Sequence, residues 1–100
     1  MVTKKSFGKK FSIVVTNIVA TSAVDFQVDL NKFAELNGFT IDEDYPIGVH
    51  CRSDKIAGIV TVFRTGKMIS VGSRTIEQTK KNLSFIQNLL KEQRKQLEII

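Results

Sequence analysis

AGIVTVFRTGKMISVGSR, Ala57 to Arg74, reads as two strands of alternating side chains joined by a tight turn. Ile59, Thr61 and Phe63 point to one side of the first strand and Val60 and Val62 to the other. The turn is Arg64-Thr65-Gly66-Lys67, where Gly66 supplies the positive φ of a short hairpin. On the second strand Met68 and Ser70 share one side, Ile69 and Val71 the other. Both faces of the hairpin therefore carry large apolar residues. A small domain packs one face into its core. The other, with Phe63, Ile69 and Val71 ringed by Arg64, Lys67 and Arg74, is left as an apolar surface of the kind that binds a partner.

The pattern V-F-x-x-G-K-M-x-x-x-G-x-[KR] in this stretch resembles the central hairpin of the TATA-binding protein repeat. Three further matches follow in order: Asn17-Ile18-Val19 in the first strand, Asp29-Leu30 at a helix start, and Thr75-Ile76-Glu77-Gln78 at the entry to the last helix. Together they cover residues 12 to 92. The resemblance implies an α+β fold, a curved antiparallel sheet of about five strands with two helices on the convex face. The concave face would lie on a DNA minor groove. The family's core has two tandem repeats, and this sequence holds one.

One hundred residues suffice for a single core. The expected division is a basic tail over residues 1–10 and one domain over 11–100. Apolar content of 42% and charged content of 25% fit a globular protein. A net charge of +5 and a pI near 9.6 favour a polyanionic partner. The lone Cys51 excludes an internal disulfide, suits a reducing compartment and reads as a small core residue. The expected location is intracellular, the cytoplasm of a prokaryote or a nucleus. The basic residues Lys4 to Lys10 before the apolar run Phe11–Ala20 mimic a signal peptide, but Thr16 and Asn17 interrupt the run and it reads as a strand. No run is long enough for a transmembrane helix.

The first strand spans residues 11–21, FSIVVTNIVAT, with Ile18 and Ala20 facing the core and Val15, Asn17, Val19 and Thr21 on the open side. Phe26 and Val28 belong to a short extended piece. A helix follows from Asp29, its N-cap, to Asn37, with Leu30, Phe33 and Ala34 as apolar stripe and Gly38 as stop. Residues 40–46, TIDEDYP, read as an acidic solvated loop. In the strand 47–53, Val49 and Cys51 face the core, and His50 and Arg52 share the open face with Phe63. His50 has no recognisable acid–base partner in the sequence. The last helix is expected from Thr75, in a capping box with Gln78, to about residue 96, with Ile76, Leu83, Ile86, Leu90 and Leu97 as its stripe, widened by Phe85 and Leu89.

No catalytic constellation is legible, and the chain is read as a non-enzyme without metal or cofactor. Gly66-Lys67 lacks the earlier glycine of a phosphate loop, Thr61 standing there, and no second histidine or cysteine offers a metal pair. The resemblance implies a DNA-binding set of Asn17, Val19, Arg52, Thr61, Phe63, Thr65, Lys67, Ile69, Val71 and Arg74. Asn17 would hydrogen-bond the groove floor, where A·T pairs offer only acceptors. Phe63 matches the second of two wedging phenylalanines. Pro46 falls at the first, with Tyr45 beside it, Val71 replaces a base-bonding threonine, and Thr61 replaces an aliphatic residue. The expected partners are A·T-rich duplex DNA, a second copy of the chain and, with a role in initiation, transcription factors. The bare first strand invites that second copy. The competing reading is a protein-interaction or oligomerisation module that kept the fold without sequence-specific DNA binding, or an accessory nucleic-acid module.

Overall fold

The structure, a computed structural model, describes residues 18–44 and 47–100. The tail at 1–10, the strand residues 11–17 with Val15 and Asn17, and Tyr45 and Pro46 lie outside the described residues.

Among the described residues five strands form one antiparallel sheet: β1 (Ile18–Ala23), β2 (Thr40–Asp42), β3 (Gly48–Cys51), β4 (Ile59–Phe63) and β5 (Lys67–Ser73), in the order β1-β5-β4-β3-β2. Helix α1 (Leu30–Asn37) lies between β1 and β2 in the chain, and α2 (Ile76–Glu92) and α3 (Arg94–Leu97) follow β5. The expected α+β architecture is what forms. The central hairpin keeps the anticipated faces, pairing Ile59 with Val71 and Thr61 with Ile69. Gly66 closes it at φ 92°, its N–H donating to the Phe63 carbonyl over 2.9 Å.

Register sorts the side chains into cross-strand rows. One row runs Ser22, Met68, Val62, Val49, Ile41 and the next Ala20, Ser70, Val60, Cys51; both face the helices. Met68, Val62, Val49, Val60 and Cys51 have no solvent exposure and join Phe33, Ile86, Leu90 and Leu97 in the core. Each large apolar side chain so buried stabilises the fold by roughly 1.5–3 kcal/mol. Cys51 is the small core residue expected, and burial pushes its thiol pKa up to about 12.

The caps follow the sequence. Asp29 Oδ1 accepts from the Lys32 N–H at 3.1 Å, Gly38 ends α1 at φ 70°, and Thr75 Oγ1 accepts from the Gln78 N–H at 3.0 Å. The return bond of the capping box goes one residue early: Gln78 Oε1 accepts from the Arg74 N–H at 2.9 Å.

Three expectations need correction. Residues 40–46 are not all loop: Thr40–Asp42 pairs with β3, since Ile41 packs on the core while its polar neighbours hid a short edge strand in an acidic run. The last helix is not continuous to residue 96. It ends at Glu92, and Gln93 turns the chain into α3. There the Gln93 and Asn37 amides exchange two hydrogen bonds of 2.9 and 3.0 Å, joining the ends of α2 and α1. Glu98 then bridges to Val28. Finally, Ile76 is 63% exposed rather than part of the apolar stripe. The first half of α2 meets the sheet through buried Thr79 and Asn82 instead. Thr79 donates to the Thr75 carbonyl at 2.9 Å, so Ser73 donates to Thr79 Oγ1 at 2.6 Å. Asn82 takes the Ala57 N–H at 3.0 Å and donates to the Ala57 carbonyl at 2.7 Å and Ser70 Oγ at 3.2 Å. Among the described residues, no helix is long and apolar enough to cross a membrane.

Replacing Asn82 by Ala strands the Ala57 amide and carbonyl together. An unfolding titration should show a loss of about 2–6 kcal/mol, at 1–3 kcal/mol per stranded group. Cys51 should resist alkylation at pH 8 in the folded protein and react once denaturant is added, as mass spectrometry would show.

Candidate nucleic-acid interface

The side of the sheet away from the helices is open. Its central row runs Thr21, Ile69, Thr61, His50, Thr40, one residue from each strand. Beside it lie Phe63, Gly48 and Asp42 toward the hairpin, and Val71 and Ile59 toward the other end. Val19 is 61% and Val71 39% exposed, while Phe63, Ile69, Ile59 and Thr61 are half-buried. Strand alternation alone places these residues here, as the sequence reading anticipated.

Phe63 stands on the open face and not beneath the helices. Gly48, directly opposite, makes room for its ring: a Cβ there would meet the Thr61 methyl at 2.8 Å and Phe63 Cε1 at 3.2 Å. Asp42, Gly48, His50, Thr61, Phe63, Ile69 and Val71 line a shallow hollow of about 270 Å³. Phe63 also borders a wider groove at the hairpin end, with Ile41, Ile47, Arg64 and Thr65.

The cations frame this surface at its two ends. Arg64 and Lys67 flank the turn, and Arg52 and Arg74 follow the far ends of β3 and β5. All four are exposed and none makes an ion pair among the described residues. Thr65 is exposed at the hairpin tip, its Oγ1 accepting from the Lys67 N–H at 3.5 Å. Nine of the ten anticipated residues are thus placed on the open face or its ends. The tenth, Asn17, is outside the described residues.

His50 is better connected than the sequence suggested. Its Nε2 lies 3.0 Å from Asp42 Oδ2 and its Nδ1 3.0 Å from Thr61 Oγ1. Asp42 also accepts from the Asp44 N–H at 3.0 Å; that bond first, and the imidazole second, hold its carboxyl below the usual carboxylate range. Asp42 was missed as a site residue because the stretch holding it was read as loop, and Gly48 because its place opposite Phe63 is set by the β3–β4 register. The trace in the sequence was Ile41 alone, one core residue between two polar ones.

Residues 12–93 match the family described as transcription factor TFIID, or TATA-binding protein. The chain belongs to the TATA-binding protein family. It is 28% identical over 83 residues to a TATA-box-binding protein of Archaeoglobus fulgidus, an alignment covering 82% of this chain and 45% of that protein. The chain thus spans about half the length of that relative. No solved structure matches it.

Gly48→Ala should displace the Phe63 ring and cost about 1–3 kcal/mol, the range for overpacking. The cost is steric, since Gly48 is not among the glycines at positive φ. Chemical denaturation, with the Phe63 ring resonances followed by NMR, checks both.

Proposed function

We propose that this protein binds duplex DNA by laying the open face of its sheet on the minor groove, in a transcriptional role resembling that of its family. The observation that carries this reading is the open apolar surface of Val19, Phe63, Ile69 and Val71, set between cations at both ends of the strands that make no ion pair among the described residues.

Dimensions dictate the mode. Five strands at about 4.8 Å spacing make a face roughly 19 Å wide, whereas the minor groove of B-DNA is about 6 Å wide. Docking therefore requires an opened and bent groove, which costs on the order of 1–6 kcal/mol. Phe63, at the hairpin end of the face, acts as a wedge. Burying it fully is worth roughly 1.5–3 kcal/mol, and most of its surface is already covered. Apolar contact alone does not cover the deformation. Phosphate contacts by Arg52, Arg64, Lys67 and Arg74 supply the remainder through counterion release.

A second copy of the repeat completes the surface. β1 is an edge of the sheet and carries no charged residue over its IVATSA sequence, so nothing deters another strand from pairing with it. A two-fold homodimer through β1 doubles the apolar face and both sets of cations. One feature favours the competing reading of a protein interface: the Asp42 carboxylate, 40% exposed beside the hollow, repels phosphate.

Titrating A·T-rich and G·C-rich duplexes at two salt concentrations, with the mass of the complex measured, tests these readings together. A·T-preferring binding that weakens steeply with salt, by two chains per duplex, is expected. Phe63→Ala should weaken binding about 2–5-fold while leaving the fold intact. Equal binding by variant and parent would exclude the wedge. Absence of any A·T preference, with binding that vanishes at moderate salt, would favour the protein-interface reading.

A further inference from the structure

We propose that His50 is a positioning residue whose charge state sets whether Thr61 presents a hydrogen-bond donor or an acceptor to the bound groove, making the preference for A·T over G·C pairs dependent on pH. This rests on the minor-groove reading above and deepens it.

Hydrogens can be counted along the chain Asp42–His50–Thr61. The ionised Asp42 carboxylate can only accept, so His50 Nε2, 3.0 Å from Oδ2, must carry the hydrogen of that bond. In the neutral imidazole the other nitrogen, Nδ1, is then a bare lone pair. Thr61 Oγ1 lies 3.0 Å from it and must donate there. A threonine hydroxyl has one hydrogen, and neutral His50 holds it within the sheet. Thr61 then offers only lone pairs to the open face. Protonation puts a hydrogen on Nδ1, which donates to Thr61 Oγ1 in its turn. The hydroxyl hydrogen is released and can point outward.

The position makes this matter. Thr61 is half-buried at the middle of the cross-strand row and lines the hollow beside Phe63. Its neighbours there on β4 and β5, Phe63, Ile69 and Val71, have no polar side-chain atom. An A·T pair shows the minor groove only acceptors, while a G·C pair adds the guanine amino donor. An outward hydroxyl hydrogen suits A·T; an outward lone pair suits the guanine amine. Charged groups about the imidazole are few. Asp42 on β2 touches it, Asp44 is held to Asp42, Glu43 lies between them in the chain, and Arg52 follows on its own strand. β4 carries no charged residue, and on β5 Lys67 shares the open face at its hairpin end, outside the lining of the hollow. Asp42 is held below the usual carboxylate range and so keeps accepting as the solution is acidified. A charged His50 also offsets Asp42 and strengthens binding to any duplex. The ratio of affinities, and not the affinity, is therefore the diagnostic.

The experiment measures binding to A·T-rich and G·C-rich duplexes of equal length at fixed ionic strength, at about pH 8 and pH 5.5, with imidazole nitrogen NMR reading the charge state of His50 at each. In the parent protein the A·T to G·C affinity ratio should rise roughly 3–10-fold on acidification, the worth of one hydroxyl hydrogen bond. Thr61→Ser should keep the shift. Thr61→Val and His50→Gln should abolish it. Imidazole nitrogen NMR on the free protein at pH 8 should find the hydrogen on Nε2 and none on Nδ1. A ratio unchanged with pH in the parent, a shift surviving in Thr61→Val, or a hydrogen on Nδ1 at pH 8 would each overturn this inference and leave the minor-groove reading standing. Failure to bind either duplex at either pH would overturn that reading itself.

Discussion

A strand gives its side chains to two faces in strict alternation, and this sheet has helices for only one of them. Everything else follows from how the chain disposes of the second face. Met68, Val62, Val49 and Cys51 go under the helices. Ile69, Thr61, Phe63 and Val71 are their immediate neighbours and have no such cover. A one-residue slip of any central pairing would exchange the two sets, so the register that builds the core also builds the interface.

The helical layer is held by two kinds of contact. Toward α1, α3 and the second half of α2 the packing is apolar, through Phe33, Ile86, Leu90 and Leu97. Under the first half of α2 it is polar, through Ser70, Ser73, Thr79 and Asn82. Every buried side-chain polar atom among the described residues is paired. Such a seam is directional where an apolar one is not. It ties β5, which pairs with both β1 and β4, to one setting against α2. The exposure of Ile76 is a consequence, since the face of α2 that meets β5 is the face carrying Thr79 and Asn82.

On the open face the same economy of space is visible. Gly48 exists opposite Phe63 as an absence of side chain, and the ring occupies what a larger residue would fill. The ring is thereby supported from behind while its outer surface remains available. His50, Asp42 and Thr61 add a short polar chain across three strands to a surface otherwise apolar at its centre. The cations stand off at the ends of the strands, where they do not compete with that chain for partners.

Alternation, turn chemistry and capping are local properties, and the sequence alone was sufficient for them. Gly66 marked the hairpin, Asp29 and Gly38 bounded α1, Thr75 opened α2, and period two sorted Phe63, Ile69 and Val71 away from Val60 and Val62. The motif order from Asn17-Ile18-Val19 to Thr75-Ile76-Glu77-Gln78 was likewise enough to indicate the family. Tertiary structure decided what depends on contacts between distant residues. Thr40–Asp42 is too short and too acidic to announce itself as a strand, and becomes one only by pairing with β3. Thr79 and Asn82 displace Ile76 from the buried face because Ser73 and Ala57 wait for them across the sheet. The partner of His50 lies on that same unannounced strand. A hydrogen bond between side chains eight residues apart leaves no periodic trace in a sequence, because it is set by register and not by local propensity.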